Sequence, residues 1–516
     1  MAKIQAVTSD PAINLALDTI RIKKQALVFT NTKRSAEKTA EEISNNIKES
    51  SKELEELSRQ ILHALSRPTK QCERLAKCIK KGIAFHHAGL THRQKEIIED
   101  SFRNGLVKVI CATPTLAFGI SMPAFRAILK DLRRYGPHGL QWIPTLEYLQ
   151  MCGRAGRPEW DEYGEAIAIV STDAAKKEIL ERYIKGSPEE IFSKLAVEPV
   201  LRTYVLSLIA TGFVKTEKDM IKFFSQTFWA YQYQDMSRLS SIIRKMLHLL
   251  EEYGLIKSEE EKEEFESAAD IYKYSYEPTL IGKRVAELYI DPLTAHHLIE
   301  SIKKSAKKEL SEFSFLQVIS HTLEIRPLLR VRTKEYDIVQ EELLKQSNFL
   351  LENEPPAYDL DYDDFLNSIK TALFFRDWIN EKDEEYLLET YNVRPGEIKV
   401  KLDLADWLLY ASEELTRMLK LKEIIKEIIK LRLRLKHGIK EELLPLIKLE
   451  NVGRVRARKL FNAGIKDIKA VKKVKIADLA QLLGAKVALK IKEQVGQKVK
   501  EVPKGKRKGQ TSIEKF

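Results

Sequence analysis

Two arginines in the stretch QMCGRAGRPEWD, residues 150 to 161, have the type and spacing that phosphate chemistry requires. Arg154 and Arg157 lie three residues apart and are framed by Gly153 and Gly156. Guanidinium groups in so tight a segment indicate phosphate binding, because the planar fork of arginine pairs two donors with an oxyanion. The structural alternative is a cluster at a helix start that binds a carboxylate.

The elements that must position these arginines alternate between strands and helices over about residues 21 to 190. Apolar runs at QALVFTN (25–31), VKVICATPTLAFG (107–119) and AIAIVST (166–172) predict strands. The segment SAEKTAEEIS predicts a helix that begins at the capping residue Ser35. This alternation predicts an α/β domain whose parallel sheet carries its working loops at the carboxyl ends of the strands.

No metal site is predicted from the cysteines and histidines. The four cysteines include no CxxC pair, so packed or free thiols are expected. His86 and His87 are adjacent but lack nearby cysteines or paired acids, so packing or hydrogen bonding at a strand end is expected instead.

Length and composition predict a multidomain, soluble protein. The 516 residues exceed the roughly 250 to 300 that a single core accommodates. The hydrophobic share is 44% and the charged share 31%, and no apolar run approaches the roughly 20 residues that cross a bilayer. The first residues lack the pattern of a secretory signal. We therefore expect a cytoplasmic protein without a membrane partner.

The positive charge is concentrated at the C-terminal end. The chain carries a formal net charge of +12, and residues 431 to 516 contain 24 Lys and Arg against 8 Asp and Glu. An excess confined to one end indicates contact with a polyanion such as nucleic acid. The alternative is a solvated, lysine-rich end.

Three ordered motifs resemble those of a helicase family. LVFTNTKRSAE, FHHAGLTHRQKEIIEDSFRNGLVKVICATPTLAFGISMP and QMCGRAGRP resemble motifs IV, V and VI in the second RecA-like domain of superfamily-two helicases. Downstream strings such as EPTLIGKRVAELYIDPLTAHH and LENVGRVRARKLFNAGI resemble the archaeal Holliday-junction-migration helicases called Hjm. The resemblance covers almost the whole chain and implies an α/β RecA-like domain followed by mainly α-helical domains.

The resemblance also implies domain boundaries. The expected domains are a second RecA-like domain at 1–190 with a β-hairpin at about 129–145, a winged helix at 191–290, a helical ratchet bundle at 291–430, a helix-hairpin-helix domain at 431–500 and a basic flexible tail at 501–516.

By resemblance, Arg154 and Arg157 would be catalytic fingers that stabilise charge on the transferred phosphate of ATP. Gln150 and Gly119 would lie beside the same nucleotide. The sequence contains no GxxxxGK[ST] loop and no DExH motif after a strand, so ATP and Mg would be held mainly by a first RecA-like domain. We therefore expect the C-terminal part of a helicase, with that domain as its partner and no ATPase activity alone.

Other residues are expected to contact DNA. Thr30 and Thr113 belong to motifs IV and V. Turn residues in GPHG, between two short arms, predict a hairpin whose Arg133, Arg134 and Tyr135 contact phosphate and stack on a base. In the resembling family this hairpin wedges open the duplex, and the alternative is an ordinary connection.

A tryptophan on a long amphipathic helix is the second DNA candidate. The resemblance implies that Trp407 stacks on translocating single-stranded DNA, and the alternative is a core tryptophan. The family's arginine aligns with Val400. Lys399 or Lys401 can replace its charge but not its planar stacking.

The segment LENVGRVRARKLFNAGI (449–465) resembles a helix-hairpin-helix, which presents backbone N–H groups and cations to DNA phosphate. Asn451 occupies a turn position that often has glycine, a change that asparagine tolerates. The predicted contacts are Gly453, Arg454, Arg456, Arg458 and Lys459. Such binding reads no bases and depends strongly on salt.

The last residues, KGKRKGQTSIEKF, predict a flexible basic tail. Gln510, Ile513 and Phe516 have the spacing of a peptide that binds the DNA sliding clamp, with both apolar residues on one face of a helical turn. The alternative is a basic tether.

These features predict an ATP-dependent DNA helicase that unwinds forked or branched DNA in replication-linked repair or recombination. The alternative from another class is a nonenzymatic DNA-binding adaptor that keeps the helicase shape. An RNA helicase is disfavoured because the helix-hairpin-helix and the tail suit DNA.

Overall fold

A computed structural model describes residues 4–65, 67–118, 122–136, 139–157, 161–195, 197–260 and 274–497. The candidates Gly119, Gln510, Ile513 and Phe516 lie outside these ranges, so their assignments stay predictions. The chain forms two compact units, one of residues up to 191 with 384–400, and one of residues 192–383 with those from 401 onward.

The first unit is built on a parallel sheet. Its strands and those of a separate hairpin are β1 (Ala26–Phe29), β2 (Ile83–His86), β3 (Val109–Ala112), β4 (Arg126–Leu129), β5 (Arg133–Gly136), β6 (Gly139–Trp142) and β7 (Glu165–Ala168). The sheet has the order β2-β3-β1-β4-β7, and every neighbouring pair is parallel. Every residue of β1, β2, β3 and β4 is buried, as expected for a sheet covered on both faces. The predicted α/β domain is therefore confirmed.

Helices connect and cover these strands. They are α1 (Pro11–Arg21), α2 (Lys33–Asn45), α3 (Lys52–Leu62), α4 (Lys70–Ile79), α5 (His92–Arg103), α6 (Thr145–Cys152) and α7 (Asp173–Ile179). The prediction that Ser35 caps α2 is wrong. The cap is Thr32, whose side chain accepts a hydrogen bond from the Ser35 backbone N–H, so the cap lies three residues earlier than predicted.

The carboxyl ends of the strands gather the predicted motifs at one edge of the sheet. Thr30 follows β1, His87 follows β2 and Thr113 follows β3. The antiparallel hairpin of β5 and β6 follows β4 within the range predicted for it.

The second unit begins with helices and a short hairpin. Its first elements are α8 (Glu198–Ala210), α9 (Glu217–Ser225), α10 (Phe228–Tyr233), α11 (Met236–Glu252), β8 (Ile256–Glu260), β9 (Tyr274–Pro278) and α12 (Leu280–Leu288). β8 and β9 are antiparallel, and Thr216 forms a further bridge to Ser275. Helices followed by a β-hairpin are compatible with the predicted winged helix, which stays a prediction.

The rest of the chain is helical in its described part. The helices are α13 (Pro292–Ser305), α14 (Glu312–Ser320), α15 (Tyr336–Gln346), α16 (Tyr362–Ile379), α17 (Glu384–Tyr391), α18 (Pro395–Met418), α19 (Lys422–His437), α20 (Arg454–Asn462), α21 (Ile468–Lys473), α22 (Ile476–Leu483) and α23 (Ala485–Gln494). The mainly helical character predicted for this part is confirmed. A separate apolar core joins residues of α20 to α23, including Leu460, Leu479 and Ile491.

One boundary differs from the sequence prediction. Residues 384–400 were expected in a ratchet domain at 291–430, but they group with the unit that contains the parallel sheet. They comprise α17 and the first turns of α18. Within the described ranges, none of the helices combines the length and the apolar composition needed to cross a bilayer.

Candidate nucleotide and nucleic-acid site

Arg154 joins two loops at the carboxyl edge of the sheet. Its Nε donates to the carbonyl oxygen of Ala117 at 3.2 Å, and a second guanidinium nitrogen contacts the same oxygen. The backbone around it pairs with Ala124, whose N–H donates to the Arg154 oxygen at 2.9 Å and whose oxygen accepts from Gly156 at 2.7 Å. Gly156 has φ +90°, which a side chain disfavours. Motifs V and VI are thus fixed together.

Arg157 is engaged with a buried carboxylate. Its Nε donates to Asp161 Oδ2 at 2.7 Å and a second nitrogen donates to Oδ1 at 3.1 Å, while a third reaches Gln25 Oε1 at 2.8 Å. Lys24 Nζ adds an ion pair to Asp161 at 2.6 Å, and the Asp161 side chain is 1% exposed. The hydrogen bond from Arg157 is the main cause that lowers the pKa of Asp161 to about 2.

This geometry resembles the structural alternative for Arg157, since the guanidinium binds a carboxylate. The position of the Arg157–Asp161 ion pair differs from that alternative, because the pair follows the end of α6 and does not lie at the start of a helix. Asp161 lies inside the motif stretch, four residues after Arg157, so this spacing was a readable signal. The roles of Arg154 and Arg157 toward ATP stay predictions.

Gln150 is well placed for a ligand. It is exposed on the last turn of α6, and Leu146 and Leu149 on the same helix are exposed as well. Residues three and four positions apart share one face of a helix. Leu146, Leu149 and Gln150 therefore form one exposed surface of polar and apolar groups at the start of motif VI.

The two threonine candidates differ in accessibility. Thr113 is partly exposed and precedes a short helical turn, and its hydroxyl shares a hydrogen bond of 2.9 Å with the Thr115 hydroxyl. Thr30 is completely buried, and its backbone N–H donates to the Ala112 oxygen at 2.9 Å. The Thr30 hydroxyl is buried at the sheet edge, and the contact of Thr30 with nucleic acid stays a prediction.

The hairpin of β5 and β6 presents its tip to solvent. Tyr135 pairs directly across from Leu140, and the two side chains are 85% and 54% exposed. The predicted cations hold the base of the hairpin. The Arg133 guanidinium lies 3.9 Å from the ring centre of Trp142, and Arg134 forms an ion pair with Glu147 at 2.8 Å.

Sequence reasoning missed the buried carboxylate of Glu37, the last residue of the motif IV segment. Glu37 Oε1 accepts from His87 Nε2 at 3.1 Å and from Arg394 Nε at 3.2 Å, and Glu37 Oε2 accepts from Arg74 at 2.7 Å. Burial alone would raise the pKa of Glu37, but the hydrogen bond from His87 and the charges of Arg394 and Arg74 lower it to about 2. Burial also lowers the pKa of His87.

The adjacent histidines meet the expectation of hydrogen bonding. His86 Nε2 lies 3.0 Å from Glu99, and His87 binds Glu37. Their carboxylate partners come from helices α5 and α2, and no spacing in the sequence connects these helices to the histidines. Among the described residues, no cluster of three His, Cys, Asp or Glu side chains has the arrangement of a metal site.

Arg394 belongs to a segment that packs closely against the loop after β2. The Gly396 N–H donates to the Gly89 oxygen at 3.1 Å. A Cβ on Gly396 would lie 2.2 Å from the Leu90 oxygen and 2.5 Å from the Ala88 oxygen, so only glycine fits there without backbone movement. Residues 384–400 are thereby bound to the first unit at the edge that carries the motifs.

The candidates on α18 are partly engaged. The Trp407 side chain is half-buried, and its Nε1 donates to the Leu288 oxygen at 3.0 Å. Lys401 Nζ donates to the oxygens of Pro327 at 2.8 Å and Ile325 at 3.3 Å, while Lys399 is exposed. Trp407 is therefore held at one edge, and its role in stacking stays a prediction.

The cations of the helix-hairpin-helix segment form two groups, of which Arg456 and Lys459 are exposed and Arg454 and Arg458 are partly buried. Asn451 adopts the left-handed conformation that the sequence suggested, with φ +66°, and Gly453 precedes the first residue of α20. Gly453, Arg456 and Lys459 are exposed at intervals of three residues, which places them on one face. Arg454 is partly exposed, with its guanidinium 4.9 Å from the ring centre of Trp378.

Arg458 does not share this exposed face. It donates to both oxygens of Glu381 at 2.8 and 2.6 Å and to Glu442 at 2.9 Å. Its charge is shared by two carboxylates within the same unit, and its contact with DNA stays a prediction.

The cations of motif VI fit the phosphates of a nucleotide better than its metal. Arg154 and Arg157 are partly exposed donors, and Gln150 lies nearby in sequence on an exposed face. Magnesium requires accessible oxygen ligands. The adjacent carboxylate of Asp161 is buried and already paired with Arg157 and Lys24.

The domain comparisons agree with this architecture. Residues 11–159 match the helicase conserved C-terminal domain, and residues 313–438 match domain 4 of archaeal helicases. Together with the parallel sheet, these matches define a chain that carries the C-terminal domain of a superfamily-two helicase.

Curated relatives define the family. The chain is 40% identical over 498 residues to the ATP-dependent DNA helicase Hel308 of Pyrococcus horikoshii, covering 95% of this chain and 66% of the relative. It is 36% identical over 534 residues to the ATP-dependent DNA helicase Hel308 of Methanococcus vannielii, covering 96% and 69%. The chain belongs to the archaeal Hel308 family of DNA helicases, and it spans about two thirds of the length of these relatives.

The resemblance to archaeal superfamily-two helicases is thus confirmed at the level of the family. The relatives carry the name Hel308, and the more specific resemblance to Hjm is replaced by that name.

Proposed function

We propose that this chain is the DNA-handling part of an ATP-dependent helicase that unwinds forked or branched DNA in replication-linked repair or recombination. The observation that carries the proposal is the exposed pair of Tyr135 and Leu140 at the tip of the β5–β6 hairpin. Apolar side chains that insert between base steps unstack them, so this pair is suited to separate a duplex at a fork.

The base of the hairpin has the stiffness that a wedge needs. The stacking of Arg133 on Trp142 joins the two strands to each other, and the ion pair of Arg134 with Glu147 ties β5 to α6 of the first unit. In the second unit, Trp407 stacks on single-stranded DNA, and Arg456 and Lys459 contact the DNA backbone. The named activity of the relatives, ATP-dependent DNA helicase, supports this assignment.

We further propose that ATP and magnesium are held mainly by another RecA-like domain, and that ATP hydrolysis supplies the free energy for DNA movement. Arg154 and Arg157 contribute positive charge to the transferred phosphate, and Arg157 exchanges Asp161 for that phosphate. The exposed Leu146, Leu149 and Gln150 support the presence of a covering domain, since adjacent exposed apolar groups mark interfaces.

The second candidate is a nonenzymatic DNA-binding adaptor. It is favoured by the engagement of Arg157 with Asp161, which leaves the guanidinium in a structural role.

Fusion of the chain to the first RecA-like domain of a relative distinguishes the helicase from the nonenzymatic adaptor. We expect no ATP hydrolysis by the chain alone and DNA-stimulated hydrolysis by the fusion, with Arg157→Ala lowering turnover by roughly 10³-fold. The double variant Tyr135→Ala/Leu140→Ala should abolish unwinding of a DNA fork while ATP hydrolysis stays at the unsubstituted rate. A fusion that binds DNA but hydrolyses no ATP would favour the adaptor, and unwinding of an RNA fork at equal rate would favour an RNA helicase.

A further inference from the structure

Two helices of the second unit are joined along the side that carries Trp407. The Trp407 indole N–H donates to the Leu288 oxygen at 3.0 Å, where α12 ends. One turn earlier in α12, Arg284 donates to Glu414 at 2.7 Å and to the Tyr410 hydroxyl at 3.2 Å. Because increasing numbers in α12 face decreasing numbers in α18, the two helices run antiparallel along this contact.

Tyr289 directly follows the carbonyl that holds Trp407. Its side chain is 80% exposed, and its backbone has φ +57° and ψ +25°, a left-handed conformation that is unfavourable for a bulky residue. Its N–H caps α12 by donating to the Ala286 oxygen at 3.3 Å, a cap that Gly or Asn makes with less strain. Neither burial nor capping explains an aromatic ring here, and strained exposed residues concentrate at ligand sites.

A groove opens beside Tyr289 between α8 and α12, with a volume of about 900 Å³. Exposed Tyr204 provides a second ring at its wall. The hydroxyls of Thr203 and Ser207 and the amine of Lys283 provide polar groups in the same lining. The groove thus combines aromatic rings with hydrogen-bond donors and a cation.

We propose that Tyr289 is a base-stacking residue that extends the path of single-stranded DNA from Trp407 into this groove, with Tyr204 as the next ring. Aromatic faces accept every base, whereas hydroxyls and lysine serve the sugar and phosphate. Glu287 also lines the groove, but its charge is paired with Arg284 at 2.8 Å. The inference rests on the proposed function, because it requires that DNA reaches Trp407.

The test uses the full chain and a fluorescently labelled single-stranded oligonucleotide. Tyr289→Asn should weaken binding by roughly 5- to 150-fold, the range expected for loss of one stacked base. Tyr289→Phe should bind like the unsubstituted chain, because the ring remains. The melting temperature of Tyr289→Asn should not fall, since asparagine tolerates the left-handed backbone. Tyr358→Ala, at another exposed tyrosine of the same unit, is the matched control and should change nothing.

The outcomes distinguish this inference from the proposed function. If Trp407→Ala weakens binding and Tyr289→Asn does not, Tyr289 is no stacking residue and the path past Trp407 stands. If neither variant changes affinity, the proposed DNA path itself is wrong. Equal losses in Tyr289→Phe and Tyr289→Asn would also overturn stacking, because they assign the effect to the hydroxyl.

Discussion

Replacing Glu37 with glutamine tests whether one buried carboxylate holds residues 384–400 on the first unit. The Glu37 side chain is 4% exposed and pairs with Arg74 and Arg394. Glutamine keeps the shape but removes the charge. Leaving a buried ion without its partner costs about 3 to 5 kcal/mol. Because Arg74 keeps its second partner Glu41, we expect a loss of about 3 kcal/mol, the lower end of that range.

The pKa of Glu37 gives a second estimate of how much this carboxylate stabilises the fold. Its value of about 2 in the folded chain lies below the ordinary value of 4.5. A depressed pKa stabilises the fold fully above pH 4.5, and this stabilisation is lost as the pH falls toward about 2. The difference corresponds to about 3 kcal/mol at pH 7, of which about 2 kcal/mol disappears by about pH 3. Glu37→Gln should lack this part of the pH dependence.

Hydrogen exchange read by mass spectrometry locates the effect. In Glu37→Gln, amides within 384–400 and in the loop after β2 should exchange roughly 100-fold faster at pH 7, the equivalent of about 3 kcal/mol in local opening. Urea unfolding of both proteins between about pH 3 and pH 7 then measures the linkage.

Lys70→Ala is the matched control for this experiment. Lys70 also reaches residues 384–400, through ion pairs with Glu385 and Glu389, but its side chain is exposed. Exposed pairs contribute little, so exchange should stay unchanged. The reasoning is refuted if Glu37→Gln exchanges like the unsubstituted chain, or if the two proteins lose stability equally at low pH.

Two further predictions concern the second unit. Burial lowers the pKa of His297, but its hydrogen bond to Glu352 raises it overall, so this stabilisation is complete below about pH 6.5 and is lost as the pH rises through the folded-state value. Urea unfolding at about pH 6 and pH 9 should show a smaller difference in Glu352→Gln, which also removes the partner of His321 at 2.6 Å. Arg456→Ala should weaken duplex DNA binding and lower the dependence of log affinity on log salt concentration by about 1, without changing the melting temperature. Arg458→Ala should instead lower the free energy of unfolding by about 1 to 3 kcal/mol and leave the salt dependence of binding unchanged. If Arg458→Ala changed the salt dependence and Arg456→Ala the free energy of unfolding, the results would contradict the structure.

The sheet was predictable where its strands are apolar and end in recognisable motifs. β1 and β3 fall within runs that the sequence marks as strands, because buried parallel strands are nearly continuous apolar segments, and β7 overlaps the third such run. β2 and β4 contain His86 and Arg126, so their composition gave a weaker signal. The parallel direction of the strands and the carboxyl edge followed from the alternation of strands and helices, whereas the strand order was not predicted.

The site was predictable only where its contacts are local. Arg157 and Asp161 lie four residues apart in one motif, so their pairing was within reach of the sequence. Arg394 and Glu37 are separated by 357 positions, and no spacing rule connects them. Tyr289 stands out only through its backbone conformation and exposure, which a sequence does not state. Long-range ion pairs and strained turns are properties of the folded chain.

The arginines show why residue type alone does not assign a role. Arg456 is exposed, whereas Arg157 and Arg458 each meet carboxylates that satisfy the same donors a phosphate would use. For Arg458 this engagement favours a structural role, since its guanidinium binds both Glu381 and Glu442. For Arg157 it adds a condition to the proposed function, because a phosphate must displace a buried carboxylate. That carboxylate stays paired with Lys24 after the exchange, so it is not left as an isolated charge and the exchange costs less.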